Sequence, residues 1–326
     1  MKKIFTLSAL CLLTVLSQNV KAHENSAAAG EKALSGVFAV GTDKWVVFSQ
    51  GNLQFNAEKD VMRFADNQYD TVGVSNSHIA LHYDGWIDLF GWGTGNNPSN
   101  GSTWMSDYSG FTDWGTHPIS NGGSNSDPWR TLTAEEWNYL FFSRPNAAVK
   151  FAFGSVNGVN GLIILPENWT LPEGSIFTPS TEQGLVAKEG YYLNSDKDNF
   201  THNTYSVNKW APMEEAGAVF LPAAGYRWSV NAGDANVHGK YWSATASQSD
   251  DAKAVCMYFH NERFYPNADW TIPGGLSVRL VHETIYEGIE EVSGSAAKAQ
   301  KLFVDGQLYI IRPDGQCVDM RGARVR

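Results

Sequence analysis

Between Asp84 and Arg130 the chain carries five tryptophans, Trp86, Trp92, Trp104, Trp114 and Trp129, and nine glycines among many Asn, Ser and Asp. Neither a helical nor a strand period persists through it. A long irregular segment inside a compact domain is usually functional or disordered, and five large rings argue against disorder. The chain must therefore fold around a loop region held down by aromatic side chains, on a scaffold supplied elsewhere.

Strands supply most of that scaffold. Val46 to Phe55 reads as two short β runs around the turn-forming Gln50-Gly51-Asn52. Gly161 to Leu165 and Ala218 to Leu221 are apolar β runs stopped by Pro166 and Pro222. Ala254 to Phe259 is apolar on both faces, as expected of a strand covered on both sides. Leu276 to Val281 alternates, with Leu276, Val278 and Leu280 predicted to face inward. One helix is clear. Thr133 and Glu136 form a capping box, Trp137, Leu140 and Phe141 make an apolar stripe, and Pro145 ends it. The fold class is α+β, rich in strands.

The N-terminus has the three parts of a secretory signal over residues 1–22: Lys2 and Lys3, an apolar run from Ile4 to Leu16, and small residues around Val20-Lys21-Ala22. Leu10 precedes Cys11 and the run continues past it, which is not a lipoprotein pattern. The mature protein is expected to begin at His23 and to work outside the cytoplasm. No later segment approaches the roughly 20 apolar residues a membrane helix needs. Residues 23–35 read as a flexible leader, 36–283 as the main domain, 284–300 as a small-residue, acidic linker and 301–326 as a short β-hairpin tail, with Asp305-Gly306 and Asp314-Gly315 as turns.

Charge narrows the partners. The full chain has 24 Lys and Arg against 34 Asp and Glu; without the lysines of residues 1–22 it has 21 against 34, a net charge of −13. Phosphate backbones need concentrated positive charge, so no nucleic acid is expected. Cys256 and Cys317 alone follow the signal. A bridge between them would tie a core strand to the tail, and two separate thiols is the simpler reading.

Taken in order, VVFSQGNLQF (46–55), RFADNQYD (63–70), GWIDLFGWGT (85–94), WRTLTAEEWNYLF (129–141), NGVNGLIILPENW (157–169), GAVFLPAAGYR (217–227), YWSATAS (241–247) and GLSVRLV (275–281) resemble a family of exported and surface proteins of Bacteroidetes-type bacteria. The ending also resembles the Fibrobacter major paralogous domain. That resemblance implies a C-type-lectin-like fold, shared with formylglycine-generating enzymes: a small twisted antiparallel sheet, one or two helices and long irregular loops. The tail resembles short C-terminal segments of surface proteins in the same bacteria, some of which are sorting signals.

Motifs for chemistry are sparse. There is no G-x-S-x-G elbow, and no second core cysteine stands beside Cys256 to match the formylglycine-generating enzymes. Glu135-Glu136 and Glu214-Glu215 are adjacent, so on a helix each pair diverges. A glycosidase pair drawn from Asp84, Asp88, Asp107 and Asp113 is the catalytic alternative. His78 and His82 would make a zinc pair only on a helix. Asn194, Asp196 and Asp198 have the spacing of a calcium loop, without the glycine and glutamate of an EF-hand. Pro166-Glu167-Asn168 has the composition of a lectin triplet in the wrong order.

The expectation is a non-catalytic surface or secreted module that binds a glycan or a protein, with Trp92, Trp104, Asp107 and Trp114 as ligand-binding residues and no cofactor, calcium being the one candidate exception. At least one of Trp92, Trp104 and Trp114 is expected to be exposed, and Trp86 and Trp129 buried. A glycan-processing enzyme and a structural subunit of an adhesin assembly are the alternatives.

Overall fold

The structure, a computed structural model, describes residues 32–123, 129–195 and 199–285, and beyond them only the strands Gln300–Val304, Gln307–Ile311 and Cys317–Asp319. The signal segment 1–22, most of the leader, Asp196, Asp198, most of the linker and the two expected turns of the tail lie outside the described residues. The chain divides into two compact units, one reaching Ile285 and one from Tyr286.

The first unit is a mixed α+β body of small, mostly antiparallel sheets. One sheet runs Phe38–Gly41, Lys44–Phe48, Leu280–Thr284, Arg130–Thr131. It joins the two ends of the unit, since Val281 pairs with Phe48 and Thr284 with Trp45. A second runs Thr204–Tyr205, Phe151–Val156, Val159–Ile164, Val219–Pro222, parallel only at its first pair. The widest has five antiparallel strands in the order Gly239–Ala246, Lys253–His260, Arg263–Thr271, Tyr191–Asn194, Leu185–Lys188.

The runs flanking Gln50-Gly51-Asn52 are strands, but they do not pair with each other. Lys44–Phe48 joins the first sheet, whereas Leu53–Asn56 turns away to pair with Val61–Phe64. Gly51 permits the divergence, because a Cβ there would come within 2.6 Å of the Ala65 carbonyl oxygen. Lys253–His260 is covered on both faces along most of its length. Ala254 and Cys256 enter one core with Trp242, Leu276, Val278 and Leu280. Met257 and Phe259 enter another with Phe48, Trp137, Phe151 and Phe264.

The leader ends earlier than its composition suggests. Leu34 is buried and its N–H donates to the Phe48 carbonyl at 2.8 Å, and Lys32 pairs with Asp66 at 2.8 Å. The capped helix is Ala134–Asn138, continued by a π-helical turn to Ser143, with both halves of the capping box formed. A second helix, Val207–Glu215, buries Trp210 and Met213 despite Pro212 inside it. Among the described residues no helix is long and apolar enough to cross a membrane.

The quoted motifs meet at a buried polar knot. Arg279 is wholly buried; its guanidinium donates to the Gln50 carbonyl and Gln68 Oε1, both at 3.1 Å. Gln68 Oε1 also accepts from Phe220 N–H at 2.6 Å. Tyr241 O–H donates to the Pro222 carbonyl at 2.7 Å, and Asn52 Nδ2 donates to the Tyr241 oxygen at 3.3 Å. Burial pushes Arg279 down to about 10, so it remains cationic at neutral pH. These residues specify how the strands assemble, since unmet buried polar groups are costly.

Candidate functional site

The irregular segment is stitched to the sheets by single β-bridges, Phe55 to Ile87 and Phe90 to Leu276, and by Thr94 to Thr112 within it. Its tryptophans divide sharply. Trp114 is fully buried between Phe90 and Phe111. Trp92 is buried and its indole N–H donates to the Ser243 carbonyl at 2.8 Å. Both were expected to touch a ligand; both instead hold the loops onto the core, as large rings in irregular structure commonly do. Trp129 is buried as expected, donating to the Gly122 carbonyl at 2.8 Å. Trp86 departs from expectation: it is half-buried, with the Arg63 guanidinium 3.9 Å above its ring.

Trp104 is the exception, 74% exposed. Its loop is braced from within. Asn100 Nδ2 donates to the Asp107 carbonyl at 3.0 Å, and Tyr108 O–H donates to the Ser102 carbonyl at 2.9 Å. Ser102 Oγ accepts from Trp104 N–H at 3.0 Å and donates to the Asp107 carboxylate. Burial of the Tyr108 ring pushes its hydroxyl up to about 12, so it stays a donor. Asp107 is exposed beside the tryptophan, with Oδ1 accepting from Ser106 at 3.3 Å. At the loop's base Gly101 abuts Ile79. Ile79 lines an open depression of about 450 Å³ formed by Ser77 to Tyr83. Leu81, 67% exposed, lines the same depression, and His78 stacks on Tyr83 at 5.2 Å. The loop thus presents one exposed indole, and its base touches the wall of the depression at Ile79.

The other candidates take separate places. Asp88 is fully buried and bound by Val72 and Asn76. Asp113 caps the turn Trp114–Thr116 through Gly115 N–H at 3.1 Å and accepts from Thr131 N–H and Oγ1, both at 2.9 Å. Both carboxylates therefore serve local structure. Asp84 is exposed, and its backbone carbonyl accepts from Asn56 Nδ2 at 2.5 Å. His78 ends a 3-10 helix, Gly73–His78, that does not reach His82, so the two lie off a common helical face. Among the described residues no group of three or more His, Cys, Asp and Glu gathers as a metal site. Asn194 is buried and its Nδ2 donates to the Asn261 carbonyl at 2.8 Å. Glu167 is a core ion-pair partner of Arg144 at 3.1 Å and of Lys150. Cys256 is free and buried, which pushes its thiol up to about 12 and makes it inert.

One cluster gave no clear sign in the sequence. Lys240 is buried with Nζ 3.2 Å from the centre of the Trp270 ring, 4.0 Å from Tyr226 and 4.7 Å from Tyr258. Desolvation brings this ammonium down to about 8, while three ring faces hold it in place. The available signal was that Tyr258, His260 and Tyr265 share a face of two paired strands, which needs the register to be seen. Compared with family models, curated proteins and solved structures, the chain finds no match.

Proposed function

We propose that this chain is an exported, non-catalytic binding module of C-type-lectin-like architecture, and that it engages a glycan through the Trp104 loop. The observation that carries this reading is a single indole, 74% exposed, on a loop whose own hydrogen bonds hold it rigid. An exposed tryptophan costs favourable burial, and rigid scaffolded loops are where recognition concentrates. The indole face suits the C–H face of a sugar ring, and Asp107, Ser106 and Asn100 beside it suit hydroxyls. The lectin-like architecture is supported by the pairing of the unit's two ends in one sheet, by two short helices and by the long irregular segment. The apolar N-terminal run supports export.

A glycan array probed with the full chain, with and without calcium, tests the reading. Trp104→Ala should weaken any hit by roughly 1–3 kcal/mol, as for an aromatic hot spot, with the melting temperature unchanged. Hits that survive this substitution at full strength would place recognition elsewhere, and an array without hits would turn the reading toward a protein partner.

A further inference from the structure

The register of the five-stranded sheet builds a second surface far in sequence from the Trp104 loop. Lys240 pairs with Tyr258, Tyr258 with Tyr265, and Lys188 with Tyr191. Tyr258 and Tyr265 stack at 6.0 Å and 9° between planes, and Tyr265 and Tyr191 at 5.2 Å and 24°. One rung across all five strands therefore reads Lys240, Tyr258, Tyr265, Tyr191, Lys188. The next rung holds His260 paired with Arg263, Arg263 with Leu193, and Leu193 with Val186. His238 lies at its end, 5.6 Å from His260 between ring centres.

Toward Trp242 and Cys256 this face is covered by core. At these two rungs it is not. Tyr191, Tyr258, Tyr265, His238 and His260 are half-buried, and Arg263, Lys188, Leu193 and Val186 are exposed. Three of the ten positions are cationic, two are histidines and none is acidic, in a chain whose net charge is −10. Asp234, which stands 3.5 Å from His238, Glu189 and Glu262 lie in the connections at strand ends. Lys240 does not reach out; its three-ring cage fixes a positive charge at one end of the tyrosine rung.

We propose that this sheet face is a binding surface for an acidic polysaccharide. Sugar rings would lie along the three tyrosines, and their carboxylates would meet Lys188 and Arg263 in the field of Lys240. Charge complementarity selects a polyanion. The row of three half-buried phenols, whose outer edges and hydroxyls can meet sugar C–H and O–H groups and which a purely electrostatic contact would not need, favours sugar over acidic polypeptide.

The test is native affinity electrophoresis of the full chain in gels containing polygalacturonate, dextran or polyglutamate. Polygalacturonate should retard the protein, while neutral dextran and polyglutamate should not. The exposed pair Lys188→Gln with Arg263→Gln, and separately Tyr265→Ala, should each weaken retardation by about tenfold, equivalent to roughly 1.4 kcal/mol. Tyr265→Phe should restore it if Tyr265→Ala has lost it by removing the ring. Trp104→Ala should leave it unchanged, which keeps this surface distinguishable from the loop site. Equal retardation by polyglutamate, no retardation by polygalacturonate, or indifference to all the sheet substitutions would overturn the proposal.

Discussion

Among the described residues the Asp88 carboxylate is bound by neutral donors, Val72 N–H at 2.9 Å and Asn76 Nδ2 at 2.7 Å. Asn76 in turn accepts from the N–H groups of Asp88 and Leu89, so one buried pair fastens the 3-10 turn to the start of the irregular segment. Loss of water outweighs these bonds and pushes the carboxyl up to about 6, from 3.8. The folded state therefore holds the proton more tightly than the unfolded chain. Asp88 costs stability above about pH 6, and that cost is relieved as pH falls toward 3.8. Asp88→Asn removes the titration. Between about pH 7 and pH 4 the wild type should gain stability relative to the variant by on the order of 3 kcal/mol, read from urea midpoints at the two pH values. A difference independent of pH would mean that Asp88 is already neutral or better solvated. Nothing in its sequence context marks Asp88 out from Asp84 or Asp113, because burial is a property of the assembled loops. The same holds for the tryptophans: Trp92 stands between Gly91 and Gly93 and Trp104 between Thr103 and Met105, and neither setting by itself says which ring the fold covers.

The capped helix was legible because its signals are local. Thr133 Oγ accepts from Glu136 N–H at 3.2 Å, and Glu136 Oε2 accepts from Thr133 N–H at 2.9 Å, as the spacing implies. What the spacing could not show is that Glu136 is also clasped by Arg130 through two bonds of 2.7 and 2.8 Å. The clasp links the helix start to the edge strand Arg130–Thr131, which pairs with Leu280 and Val281. Thr133→Ala should cost about 1 kcal/mol, the usual value for a lost N-cap. Glu136→Ala should cost clearly more, because it also takes both short hydrogen bonds from a half-buried guanidinium and leaves it the exposed Glu283 at 3.3 Å. Chemical denaturation of both variants checks the order; equal losses would mean the clasp contributes nothing. The second helix was missed because Pro212 interrupts its pattern and only Trp210 and Met213 mark a buried side. Strand positions were legible from apolar runs, but their partners were not. Val46 to Phe55 looks like one hairpin in sequence, and the choice of Leu280–Thr284 as a partner for Lys44–Phe48 rests on contacts more than 200 residues apart.

At the scale of the whole molecule, closure of the first unit explains where its stability must lie. Its three apolar cores draw on residues from Ala33 to Val281. The last pair that joins the two ends of the unit is Thr284 with Trp45. Past that pair the chain enters a second compact unit, beginning at Tyr286, whose strands Gln300–Val304, Gln307–Ile311 and Cys317–Asp319 pair among themselves in the order written. The two turns expected at Asp305-Gly306 and Asp314-Gly315 imply three strands, and the described strands of the tail fall on either side of both positions. Among the described residues those three cores hold no side chain beyond Val281, so residues 286–326 are expected to be dispensable for the first unit. The truncated protein should therefore melt at the same temperature as the full chain and keep its near-UV circular dichroism, which reports the packing of the buried tryptophans. A domain of this size loses roughly 2–4 °C for each kcal/mol. A fall larger than that on truncation would show that the tail contributes to the stability of the first unit and that the two units do not fold independently.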